Sequence, residues 1–195
     1  MNSRPAQQIA CQQVLQQDNS VFSMQWTDLP AGLPPFSAHD LLQRYLRDIR
    51  QLTIGLIRPV ISAQGISFLL CGRWPLLSFL PPSPASTPKG DGLALRICGG
   101  LLVQRDQCER GELLLLLSQQ AYGGQRITLR LADYCPLLLG SSQPSLFRRW
   151  LYRLTQSTMH RLVTVRFLVR LYRDLAGPAA CVRIVNITLH NGRET

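Results

Sequence analysis

LFRRWLYRLTQSTMHRLVTVRFLVRLYRDL, residues 146–175, is the stretch on which the fold turns. At about 100 degrees per residue, Leu146, Phe147, Trp150, Leu151, Leu154, Leu162, Val165, Leu168, Val169, Tyr172 and Leu175 gather on half of a helix circumference. Arg148, Arg149, Arg153, Arg166, Arg170 and Arg173 gather on the other half, and Gly177-Pro178 supplies a stop. The spacing predicts one helix of roughly 45 Å, long enough to cross a sheet diagonally. Two polar residues, Ser157 and Arg161, interrupt its apolar stripe.

Upstream, the middle third reads as sheet. Ile66–Cys71 and Leu76–Leu80 are short apolar runs, separated by the Pro/Ser-rich segment 81–92 from Leu93–Arg105, where Gly99-Gly100 predicts a bulge. Glu112–Gln120 carries five consecutive leucines, a run that implies burial on both faces. In the next segment Arg126, Thr128 and Arg130 alternate with Ile127, Leu129 and Leu131, which predicts an antiparallel strand with one wet face. A terminal apolar run, Cys181–Leu189, predicts a last strand. Nearer the start, Ser37 and Asp40 have the spacing of a helix cap. An amphipathic helix of about five turns follows, through Leu41, Leu42, Tyr45, Leu46, Ile49, Leu52, Leu56 and Ile57, and stops near Pro59. Val21–Trp26 predicts an edge strand. Residues 1–20 are read as a flexible N-terminal arm or short strand-bearing lead-in, and 21–195 as a single α+β domain. The fold class expected is an antiparallel curved sheet packed around one long late helix, with an earlier amphipathic helix.

Composition narrows the function without naming it. Nearly half of the 195 residues are apolar and the formal net charge is +10. Of the 21 basic residues only Lys89 is not arginine, and guanidinium groups favour carboxylate and phosphate partners. The six cysteines are dispersed singletons without metal-ligand spacing, so zinc is not expected. Cys71, Cys98 and Cys181, lying in apolar runs, are expected to be buried. Residues 1–17 lack the continuous apolar core of a signal peptide, and no run approaches the roughly 20 apolar residues of a membrane span. Free thiols and a cytoplasmic location are therefore expected. No phosphate loop or paired carboxylates appear, and neither a metal nor a cofactor is implied. Asp133, Tyr134 and His160 are the residues on which an enzyme reading would rest, although the wheel turns His160 about 100 degrees from Arg161, toward the polar side.

The layout, together with the strand beginning at Arg126, the Leu139-Gly140 turn, Trp150, Tyr152, His160 and Phe167-Leu168, resembles the START-related helix-grip (SRPBCC-like) superfamily, and within it uncharacterised domains sometimes fused to short-chain dehydrogenases. The resemblance covers roughly residues 36–176; the terminal strand departs from it. It implies a sheet wrapped on the long helix around an apolar cavity that binds a hydrophobic or amphipathic small molecule or lipid. In that cavity Trp150, Leu154, Ser157 and Arg161 would line the helical side, and Arg96 or Arg130 the sheet side. Arg161 would anchor an anionic head group. A second reading places Arg44, Arg47, Arg148, Arg149, Arg166, Arg170 and Arg173 against an anionic membrane, nucleic acid or an acidic protein, with the chain peripheral to the membrane. The absence of RNP-like aromatic strands and helix-turn-helix spacing weighs against nucleic acid.

Overall fold

The computed structural model describes residues 6–16, 18, 20–33, 36–85, 90–104, 110–121, 123–137, 158–187, 189–190 and 193–194. A ten-stranded, mostly antiparallel sheet dominates it. The strands are β1 (Gln7–Leu15), β2 (Val21–Leu29), β3 (Ile57–Ser62), β4 (Gly65–Leu70), β5 (Trp74–Phe79), β6 (Ser83–Pro84), β7 (Gly90–Gly99), β8 (Glu112–Gln119), β9 (Gln125–Tyr134) and β10 (Val182–Asn186). Their order is β10-β1-β2-β9-β8-β7-β5-β4-β3, with β6 paired to β7. Among the described residues two helices, α1 (Ala38–Leu52) and α2 (Thr158–Ala176), pack against each other and cover one face; α1 lies over β3, β7 and β8, and α2 over β1 and β2.

This arrangement corrects the helix-grip expectation. The described late helix has 19 residues, a length of roughly 28 Å, and it shares the sheet with α1 instead of being gripped alone. Residues 146–157, the expected first turns, lie outside the described residues. The terminal strand falls within the expected Cys181–Leu189 as β10, whereas β1 and β3 mix Gln, Arg and Pro with their apolar residues and show no clean alternation. Gln7–Leu15 is not an arm: it pairs with β2 on one side and, in parallel, with β10 on the other. β2 is consequently an interior strand, flanked by β1 and β9, and not the expected edge.

Local signals hold where a single turn decides the outcome. Ser37 caps α1, its hydroxyl accepting from the Asp40 amide at 3.1 Å while the Asp40 carboxylate accepts from the Ser37 amide, a complete capping box. The helix ends earlier than its apolar spacing suggested. Ile54 (φ 53) and Gly55 (φ 74) enter the left-handed region, and the chain leaves as strand β3, which contains Pro59. At Gly99 the β5–β7 register shifts by one residue, Ser78 facing Gly99 and Phe79 facing Ile97, as the Gly99-Gly100 pair predicts, and β7 ends there because Gly100 turns at φ +124. In β8, Leu113, Leu114, Leu115 and Leu117 are buried, as a strand covered on both faces requires. In β9, Ile127, Leu129 and Leu131 face the core while Arg126, Thr128 and Arg130 stand on the outer face.

The β3–β4 turn depends on Gly65. Its φ is +131, and a Cβ there would collide with the Phe79 carbonyl oxygen of β5. Gly65→Ala is therefore expected to cost about 1–3 kcal/mol, read as a lower urea midpoint with unchanged slope. An unshifted midpoint would show that the turn relaxes freely.

Candidate functional site, an apolar cavity under two helices

The cavity forms where the two helices bridge the sheet. Leu41, Leu42, Tyr45, Leu46 and Ile49 of α1 are buried, and on α2 the buried residues are Thr164, Val165, Phe167, Leu168 and Leu171. Tyr45 and Phe167 meet edge to face, with ring centroids 5.2 Å apart, and lock the helices together. Beside that lock the helices and sheet separate around a cavity of about 390 Å³. Tyr45 and Ile49 line it from α1, His160 and Val163 from α2, and Phe68, Phe79, Leu113 and Leu131 from the sheet.

Three polar side chains reach this apolar space. The Tyr134 hydroxyl donates to the Leu102 carbonyl at 2.8 Å, so its own donor is used. Burial pushes the Tyr45 phenol up to about 12, partly offset by the neighbouring Thr164 hydroxyl. His160 is half-buried over its whole surface, yet its ring faces the apolar lining, and desolvation pushes it down to about 4. A neutral imidazole there offers one donor and one acceptor.

His160 is the residue that the sequence reading misdirected. Its expected orientation followed from a wheel drawn over residues 146–175, centred on Leu162, Val165 and Leu168. Leu162 is instead exposed, and the buried face includes the row His160, Thr164, Phe167 and Leu171, at i, i+4, i+7 and i+11. Thr164 masked that row as polar. The four-three-four spacing from His160 was the available signal.

The other expected site residues disperse. Arg161 lies in a separate polar cleft of about 240 Å³ with Cys11, Gln25 and Asn186, where its guanidinium donates to the Asn186 side-chain oxygen at 2.5 Å. Burial pushes the Cys11 thiol up while Arg161 pulls it back. Arg96 is exposed on β7, opposite the core-facing Leu95 and Ile97. Arg130 stands on the outer face of β9, 3.7 Å from a carboxylate oxygen of Glu112. Trp150, Leu154 and Ser157 lie outside the described residues, as do Tyr152, Arg148, Arg149 and the Leu139-Gly140 turn. Of the residues considered for an enzyme, Tyr134 and His160 share the cavity, whereas Asp133 is exposed at φ 51.

The helical arginines divide. Arg44 pairs with Asp174 and, at 3.9 Å, with Asp48; Arg170 also lies 3.9 Å from Asp48. Burial still pushes the Asp48 carboxyl up, against the pull of Arg170 and Arg44. Arg47, Arg166 and Arg173 are exposed. The cysteines reverse expectation: Cys71, Cys98 and Cys181 are exposed and Cys11 and Cys135 are buried. Cys71 sits in a turn at φ 51 and Cys98 on the outer side of β7, positions that an apolar neighbourhood does not reveal. Among the described residues no group of three or more His, Cys, Asp or Glu side chains converges as a metal site, and no helix is long and apolar enough to cross a membrane.

No protein-family model matches the chain, and no curated protein matches it. Among solved structures, that of CalU16 from Micromonospora echinospora is similar at 14% identity and a TM-score of 0.35, covering 88% of this chain and 97% of that one. A likeness this low establishes neither fold nor function.

Proposed function

We propose that this protein binds a hydrophobic small molecule or lipid in the cavity between the sheet and its two helices. The observation that carries the reading is the cavity itself: about 390 Å³, within the range of small-molecule sites and lined mostly by apolar side chains. A well-packed core has few voids larger than a water molecule, so a space of this size under two helices needs an occupant or costs stability. Among the described lining residues the polar groups are the two tyrosines and His160, and none is an arginine. The ligand is therefore mostly apolar with one neutral hydrogen-bonding group, which the His160 imidazole meets. A carboxylate or phosphate head would enter this lining without a counter-charge, at a large desolvation cost.

The test is a fluorescence titration with N-phenyl-1-naphthylamine, a neutral apolar probe, on the wild type and on Val163→Trp. Val163 is half-buried on the cavity wall, and an indole there fills the space. Saturable enhancement in the wild type and a loss of at least about tenfold in affinity in the filled variant, with an unchanged circular dichroism spectrum, is the expected result. Equal affinity in both proteins, or no saturable binding in the wild type, would reject the cavity as a binding site.

A further inference from the structure

We infer that the mouth of the cavity is a docking surface for an anionic lipid bilayer. Three backbone hydrogen bonds join separate segments into one rim: Cys71 N–H to the Leu56 carbonyl at 2.8 Å, Leu101 N–H to that of Pro75 at 2.8 Å, and Leu137 N–H to that of Leu102 at 2.9 Å. The rim is apolar and open to solvent. Leu56, Trp74, Leu101 and Leu137 are each about half exposed, and two residues before Leu56 the 95% exposed Ile54 borders the adjoining groove with Arg47 and Arg50. Leu56, Leu101 and Leu137 also line the cavity, so these three carry its apolar lining out to the surface.

Ile54 is the clearest sign that this surface has a use. A β-branched residue at φ 53 is sterically disfavoured, and full exposure adds an unburied apolar side chain. The exposure is accounted for if the side chain enters a hydrocarbon boundary.

Charge selects the bilayer. No acidic residue occurs between Asp48 and Asp91, whereas Arg50, Arg58 and Arg73 do, all exposed. The Arg58 Nε donates to the Gly55 carbonyl at 3.3 Å, which holds this cation beside Ile54. Arg73 lies over the Trp74 ring at 6.0 Å. An indole and cations around protruding aliphatic residues are what an interface of headgroups and acyl chains accepts, and anionic headgroups add attraction that salt screens. Docking rests on the rim alone; passage of a ligand between bilayer and cavity rests also on the proposed function.

Co-sedimentation with vesicles of phosphatidylcholine, with and without phosphatidylserine, tests the inference. The wild type is expected to bind the serine-containing vesicles, more weakly at high salt, with a blue shift of tryptophan emission that Trp74→Phe removes. Ile54→Asn joined to Trp74→Gln is expected to reduce vesicle binding by at least about tenfold. Asparagine tolerates the left-handed region, so Ile54→Asn alone should leave the protein as stable as wild type or more so while weakening docking. Naphthylamine binding without vesicles should be unchanged in both, which separates a failed rim from a failed cavity. Arg166→Gln with Arg173→Gln, on the exposed face of α2, should leave vesicle binding intact. Loss of binding in that helix variant and not in the rim variant would overturn the inference. So would a wild type that ignores both vesicles, or one that dimerises through the rim by light scattering and dissociates with Ile54→Asn.

Discussion

Phe167→Ala is expected to lower the unfolding free energy by about 3–5 kcal/mol, the largest effect of any single truncation proposed for this chain. Phe167 has no exposed surface and stands edge-on to Tyr45 of the facing helix. Truncation removes the buried ring and its partner contact together. It also opens space at the point where α1 and α2 are held, so the two helices lose their shared reference. Urea unfolding followed by circular dichroism gives the measurement. Phe167→Leu should recover about half of the loss, since it restores most of the volume without the ring. A cost below about 1 kcal/mol for the alanine variant would mean that the helices pack through other residues.

Acid should destabilise the protein through His160. Desolvation pushes its imidazole from the ordinary 6.5 down to about 4 in the folded chain. Between those values the unfolded state binds more protons, so stability rises with pH across this window. It is complete above about pH 6.5 and is lost as pH falls toward 4. A shift of this size corresponds to at most about 3 kcal/mol, less the part that solvent at the half-buried edge of the ring screens. Asp48 acts in the opposite sense. Burial raises its carboxyl above the ordinary aspartate value of 3.8, so its contribution is greatest below that value and declines as pH rises through its raised folded pKa. Comparing wild type with His160→Leu at each pH removes the Asp48 contribution. The two should be close in stability at pH 7, and the variant should be progressively more stable from pH 6 to pH 4.5, where about 2 kcal/mol separates them. Parallel stability curves would show that the ring is solvated.

Under the proposed docking, the rim and the helix faces would differ in role because their arginines sit in different surroundings. On the helices, Arg44 and Arg170 are engaged with Asp48 and, for Arg44, with Asp174. Along the rim, Arg58 and Arg73 stand beside exposed apolar side chains in a segment without acids. Overall positive charge does not distinguish these settings. Proximity to carboxylates does.

Some of this was legible in the chain itself. The Ser37–Asp40 cap, the alternation of β9 and the leucine run of β8 were readable because each is decided within a few residues, by a capping bond, a period of two, or a run too apolar to be wetted. The amphipathic character of α1 and α2 was readable for the same reason. Where α1 ends was not, because two residues in left-handed conformation override an apolar spacing that continues through Leu56 and Ile57.

Partnership between elements was decided by the tertiary structure. Gln7–Leu15 becomes an interior strand only because β10, some 170 residues later, pairs with it in parallel; its glutamines carry no mark of that neighbour. The same holds for the site. Arg161 and His160 are adjacent in sequence, yet one faces the polar cleft of Cys11 and Asn186 and the other the apolar cavity. Helical geometry dictates that consecutive side chains diverge by about 100 degrees, but not which of the two directions meets an open space. That choice is made by how α2 rotates against α1 and the sheet, set by the burial of Phe167, Leu168 and Leu171. Sequence therefore determined which segments are amphipathic and where the charges lie along them. The cavity, its neutral histidine and its exposed rim exist only because packing brought distant segments together.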